Sequence, residues 1–175
     1  MEIKDFTKNV LSDIRVDLTE EFDRNFERKG FFTNKWRGTN LPNRRGSLMV
    51  RSGNLRRSIR SKQTSNEINW SSSLPYASIN NEGGEIVVTD KMKRFFWAMY
   101  YKASGAAKGK GERAQRLSAE AQQWKNLALQ KVGAKMKIEK RQFIGDHPIV
   151  RQRIEDIVDK NMLELQDHIY NKLKK

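Results

Sequence analysis

Cysteine is absent from the 175 residues. No disulfide framework can staple this fold and no thiolate can hold a metal. The absence fits an intracellular chain. No apolar run approaches the roughly 18 residues of a membrane span. The opening Met1-Glu2-Ile3-Lys4-Asp5 is charged where a secretory leader would be apolar, so no signal peptide is expected. Histidine occurs twice, as His147 and His168, in neither H-x-x-x-H nor H-E-x-x-H spacing. No G-x-S-x-G elbow accompanies them. The run Ser104-Gly105-Ala106-Ala107-Lys108-Gly109-Lys110-Gly111 fails the G-x-x-x-x-G-K-[ST] spacing and follows no strand, so it reads as a mobile loop and not a phosphate cradle. Glu155, Asp156 and Asp159 stand among Arg151, Arg153 and Lys160, the pattern of a salt-bridged solvated face. The expectation is a chain with no catalytic residues, no metal site and no cofactor.

Acidic residues are also missing from one long stretch. Between Arg28 and Asn66 there is none, while Arg28, Lys29, Lys35, Arg37, Arg44, Arg45, Arg51, Arg56, Arg57, Arg60 and Lys62 all fall there. The chain as a whole carries a formal charge of +14. A field of this sign attracts nucleic acid or acidic protein surfaces. Arg44, Arg45, Arg51, Arg56, Arg57 and Arg60 are therefore the candidate contacts to an acidic partner or to DNA. Trp36 and Trp70 lie nearby and suit base stacking, the mark of a sequence-nonspecific nucleic-acid binder. A solvated basic face, with Trp36 plugging the edge of the core, is the alternative.

The rest of the chain is periodic. Phe6, Val10, Ile14, Leu18, Phe22 and Phe26 form one stripe of a helix over 3–28. Residues 30–53, with no sustained period, read as a long basic loop. Alternation predicts a hairpin of strands over 54–63 and 66–72, and Pro75 to Gly84 a short helix closed by a glycine pair. A strand follows at 86–88. Then come a helix over 91–101 that Thr89 or Asp90 can cap, a helix over 114–131, and a strand about Met136 and Ile138. A final helix opens at Asp146 and Pro148, with Val150, Ile154, Ile157, Met162, Leu165, Ile169 and Leu173 as its stripe. The fold class is α+β: a small antiparallel sheet of three or four strands packed against long N- and C-terminal helices. A single domain over 1–175 is expected, with the basic loop at 30–53 and a helical insertion at about 90–131.

Within that insertion Phe95, Phe96, Trp97, Met99, Tyr100 and Tyr101 point nearly all round the helix. More than one face must be buried, either inside the protomer or against another copy. Phe95, Phe96, Trp97 and Tyr100 are the candidate self-association residues.

Three blocks stand in order along the chain: Arg51-Ser52-Gly53-Asn54-Leu55-Arg56-Arg57-Ser58-Ile59, then Tyr76-Ala77-Ser78-Ile79-Asn80-Asn81-Glu82-Gly83-Gly84, then Arg141-Gln142-Phe143-Ile144-Gly145. Together they resemble the phage virion morphogenesis family, the tail-completion proteins of tailed phages and prophages. That family's patterns run S-G-x-L-R-x-S-I, Y-A-x-I-H-x-x-G-G and R-P-F-L-G. The resemblance covers roughly residues 20 to 170. Asn80 stands where many relatives carry histidine, and Gln142 where they often carry proline. The resemblance implies a structural virion protein that completes the tail or joins it to the head, usually as part of a homo-oligomeric ring. Its partners would be other tail or connector proteins, with nonspecific DNA contact possible and no membrane. It would lie in the cytoplasm of the bacterial host during assembly and then in the virion tail.

Overall fold

The computed structural model describes residues 3–38, 48–107, 109 and 111–174. Two 26-residue helices, α1 (Ile3–Arg28) and α6 (Pro148–Leu173), run antiparallel. The direction follows from their cross-links: Arg153 meets Asp17, and Asn161 meets Asp13. The α1 stripe does what its spacing predicts. Val10, Ile14, Leu18, Phe22 and Phe26 are buried, and Phe6 packs half-buried beside them.

Helix α1 stops at Arg28, because Lys29 turns left-handed at φ +53°. Gly30 then opens β1 (Gly30–Phe31), which pairs with β2 (Asn34–Lys35). A Cβ on Gly30 would lie 2.7 Å from the Asn34 carbonyl oxygen, so only glycine permits that approach. The expected loop over 30–53 is thus ordered at its start: Phe31, Phe32 and Trp36 are all buried.

Among the described residues there is no single sheet of three or four strands. The described strands form three separate antiparallel ribbons, β1–β2, β3–β4 and β5–β6. The hairpin of β3 (Ile59–Gln63) and β4 (Ile68–Ser72) closes on Thr64, whose N–H donates to the Glu67 carbonyl. Leu74-Pro75 then leads into α3 (Ala77–Glu82), so β4 cannot continue toward a third strand. Residues 54–58 also depart from expectation: they form a helical turn, α2 (Asn54–Ser58). Gly53 at φ +73° starts it, and the Arg57 N–H donates to the Gly53 carbonyl. Local turn bonding overrides the period-two pattern until Ile59.

Gly83 explains the glycine pair. Its φ and ψ of 72° and −169° fall in a region essentially reserved for glycine. A Cβ there would meet the Lys140 nitrogen at 2.8 Å. The chain then enters β5 (Gly84–Val87), which pairs with β6 (Lys135–Ile138). Between them lie α4 (Asp90–Ala106) and α5 (Glu112–Ala128), packed chiefly on each other as an antiparallel arm. Thr89 caps α4, its hydroxyl oxygen accepting from the Met92 N–H. Helix α4 runs through Ser104-Gly105-Ala106, which composition alone assigns to a loop.

His147, and not Asp146, caps α6, its Nδ1 accepting from the Ile149 N–H. The imidazole is half-buried and stacks on Phe32 at 4.9 Å, so it is a packing residue and not a surface one. Asp146 pairs with Arg151 instead, and that hydrogen bond holds its carboxyl below the usual carboxylate range.

Candidate interaction site

The three sequence blocks converge on one node. Phe143, from the third block, is 1% exposed, and its ring lies 5.2 Å from Phe26. Both of its backbone polar groups are held by buried asparagines. The Asn25 amide donates to the Phe143 carbonyl at 3.2 Å, and the Phe143 N–H donates to Asn81 Oδ1 at 2.9 Å. The same Asn81 oxygen accepts from the Ile144 N–H. Trp36 Nε1 donates to the Gln142 carbonyl at 2.6 Å, and the Arg141 N–H to the Asn80 carbonyl. Leu55 from the first block and Ala77 from the second share this core with Phe26, Trp36 and Phe143. The blocks therefore hold one another in place through Leu55, Ala77, Asn81 and Phe143, which are buried.

Above the node lies an open groove of about 390 Å³. Arg51, Asn54, Tyr76, Asn80 and Arg141 are among its lining residues, and none of the lining residues is acidic. Arg141 is steadied by donating to the Arg37 and Gly38 carbonyls. Asn80 donates to the Tyr76 carbonyl one turn back. The groove thus presents cationic and amide donors beside apolar surface from Met49 and Leu55, a composition suited to an acidic segment.

The six candidate arginines separate into different environments. Arg44 and Arg45 lie outside the described residues. Arg51 is exposed on the groove. Arg57 donates to the Ser52 carbonyl and Asn54 Oδ1, and Arg60 to the Arg57 carbonyl. Arg56 is engaged within the chain. Its guanidinium grips both oxygens of Asp23 and also reaches Glu27 at 2.7 Å. These bonds, to Asp23 first, raise its pKa above the ordinary guanidinium value. Reversing Arg56 to glutamate should therefore cost about 2 kcal/mol by setting three carboxylates together. Reversing Arg51 should change stability by less than about 0.5 kcal/mol. Urea unfolding of the two variants side by side distinguishes these outcomes.

Neither tryptophan beside the basic stretch is free to stack on a base. Trp36 is buried, and Trp70 packs edge-on to Phe22 while its Nε1 donates to Thr19.

The aromatic helix α4 also divides. Phe96 is 8% exposed and stacks on Trp124 of α5, so it is internal to the arm. Phe95 and Tyr101 are 54% and 65% exposed. Trp97 and Tyr100 are half-buried and join Tyr101 in a three-ring cluster, with Trp97 stacked on Tyr101 at 5.9 Å. Phe96→Asp should unfold the arm, since an unpaired buried carboxylate costs several kcal/mol. Tyr101→Asp should leave the helix content of the circular dichroism spectrum unchanged.

Sequence reasoning overlooked Glu21, Asn25 and Asn81, the polar residues that organise the interior. A signal was present for two of them. Glu21 and Asn25 fall at three-residue steps from Leu18 and Phe22, on the apolar face of α1. A polar residue at such a position has to be paired. Glu21, at 3% exposure, accepts from Arg24 and Arg28 and lies 3.5 Å from Arg153. Arg153 is raised above its ordinary pKa first by its bonds to Asp17.

Comparison of the chain with protein-family models, curated proteins and solved structures finds no match.

Proposed function

We propose that this chain is a non-catalytic assembly protein of a phage or prophage virion, acting in tail completion or head–tail joining as one subunit of a ring. The observation that supports this reading is the convergence of the three blocks on one node. Segments about 20 and 60 residues apart in sequence share the Leu55–Ala77–Phe143 core and line a single groove with Arg51, Tyr76, Asn80 and Arg141. Three unrelated chance matches would have no reason to meet in this way. The groove and the exposed α4 face are the surfaces through which tail or connector proteins would be engaged. The host cytoplasm during assembly, and then the virion tail, is where such a subunit resides.

A prophage deprived of this chain should release separate heads and tails, counted by electron microscopy, and returning the chain should restore joined particles. Normal joined particles without it would overturn the reading.

The second reading, a sequence-nonspecific nucleic-acid binder, rests on Arg51, which is exposed, and on Arg57 and Arg60, which bond to backbone and amide oxygens. It predicts duplex binding that weakens steeply with salt through counterion release. That binding should weaken further on Arg51→Glu.

A further inference from the structure

Three open hollows join into one track across the surface. The groove above the node contributes Arg51 and Arg141. Arg57 donates to the Ser52 carbonyl and to Asn54 Oδ1, both residues of that groove, and itself lines a second hollow of about 490 Å³ between α1 and the start of β3. Arg15 and Ser61 line this second hollow and also a third, of about 1090 Å³, which continues along α1 to the hairpin turn. Arg60 borders the second hollow, and Lys8 and Lys62 the third. Beside α1 the track runs from Asp23 to Asp5, on the order of 27 Å at about 1.5 Å per residue.

Eight arginines and lysines and three acids line the track. Two of the acids are held within the chain, Asp23 by Arg56 and Glu20 by Arg24. Among the described residues Arg56 is the only one of the eight cations with a carboxylate partner, which leaves seven against Asp5. The flanking acids are matched as well. Glu82 faces Lys140 at 3.8 Å and Glu139 faces Arg37 at 3.6 Å in the segments beside the groove. On α1, Asp17 and Glu21 are held by Arg153, Arg24 and Arg28, and Asp13 accepts from Asn161. Glu67, by the hairpin turn, accepts from the Asn69 amide. Arg15 sits where the second and third hollows meet. Its Nε is sealed from solvent and meets no acceptor, and its guanidinium has no carboxylate partner among the described residues, unlike Arg24 and Arg28 of the same helix. A packed stem under an unspent charge is a preorganised contact for an anion.

We propose that this track binds the phosphate backbone of duplex DNA without reading its sequence. The inference rests on the nucleic-acid reading above and names the surface that would carry it. Phosphates are met by arginine and lysine together with hydroxyl and amide side chains. The track supplies both kinds, the second from Asn9, Ser12, Ser61 and Thr64 among others. Single strands are held by stacking successive bases on aromatic rings. Tyr76 is the one ring lining the track among the described residues. A duplex, whose bases stay stacked on each other, needs none. An acidic protein segment suits the groove alone, where Met49 and Leu55 lie. Along the rest of the track the apolar lining is confined to Val16 and Ile59, too little for the apolar centre of a protein interface.

The salt dependence of binding tests the track. A fluorescent duplex of random sequence is titrated with the full chain between about 50 and 200 mM salt, and affinity is read by anisotropy. With seven phosphate contacts the logarithm of affinity should fall with the logarithm of salt at a slope of about −6. The track variant combines Lys8→Gln, Arg15→Gln and Lys62→Gln, none of which the second reading already names. Its slope should be shallower by about 2.7, about 0.9 per lost contact. If Arg15→Gln lowers the urea midpoint, the exposed pair Lys8→Gln and Lys62→Gln carries the test with a change of about 1.8. A control variant, Lys91→Gln with Arg94→Gln and Arg113→Gln, removes the same charge from exposed positions of α4 and α5 outside the three hollows. Its slope should change by less than about 1. A track variant that keeps the parent's slope, or a control that loses as much, overturns the track and leaves the nucleic-acid reading standing. A parent that does not bind the duplex overturns both. Polyglutamate that displaces the duplex at equal charge concentration overturns the phosphate assignment in favour of an acidic protein.

Discussion

Asn25→Leu should destabilise the protein by about 4 kcal/mol, read as a fall in the urea midpoint at constant slope. Asn25 is 0% exposed and bridges two backbone groups. Its amide nitrogen donates to the Phe143 carbonyl, and its Oδ1 accepts from the Phe32 N–H at 2.9 Å. Leucine would leave a buried acceptor and a buried donor unmet, each at about 1–3 kcal/mol. The added apolar burial offsets little of this, because interiors are close-packed and the branched side chain has to displace neighbours. For a chain of this length the melting temperature should drop on the order of 10 °C. Asn81→Leu breaks the same clamp from the other side, freeing the Phe143 and Ile144 N–H groups. The two substitutions share a partner residue, so their costs should not add. A loss under about 1 kcal/mol for Asn25→Leu would mean that Phe32 and Phe143 find other partners on relaxing.

Glu21→Gln should cost about 2 kcal/mol, and the loss should persist at high salt. The carboxylate is 4% exposed, so counterions screen it poorly. A neutral amide keeps the shape but points an N–H₂ group at one of its guanidinium neighbours. Removing one partner of a fully buried pair costs about 3–5 kcal/mol. Here the cost is smaller because the arginines remain 35–45% exposed and two have second partners. Arg24 keeps Glu20, and Arg153 keeps both oxygens of Asp17. Glu27→Gln, at an exposed pair, is the control and should cost well under 1 kcal/mol. Equal losses at the two sites in low salt, vanishing together in high salt, would refute the distinction.

The long helices were legible because a stripe such as Val10, Ile14, Leu18, Phe22 and Phe26 repeats often enough to overrule local noise. Short elements were not. Leu55, Arg57 and Ile59 alternate like a strand, yet the left-handed Gly53 and the Ser58 hydroxyl, which donates to the Leu55 carbonyl, wind residues 54–58 into a turn of helix. Where the strands pair was hidden too, since pairing depends on what Pro75 and Gly83 do to the path and not on strand composition. At the candidate site the arginines could be counted, but not sorted. Only the fold reveals that Arg56 belongs to Asp23 and Glu27 while Arg51 faces outward. The same holds for α4: its rings were visible in the sequence, but the stacking of Phe96 on Trp124 was not.

Gly84 and Ile138 are cross-strand partners. The chain thus departs from the two long helices and their hairpin at one point and returns to that point 54 residues later. Partners in such a ladder lie about 5 Å apart, a gap that a glycine or two would bridge. Everything between them can be shortened, exchanged or lost without re-routing the chain through the node that Asn25 and Asn81 secure.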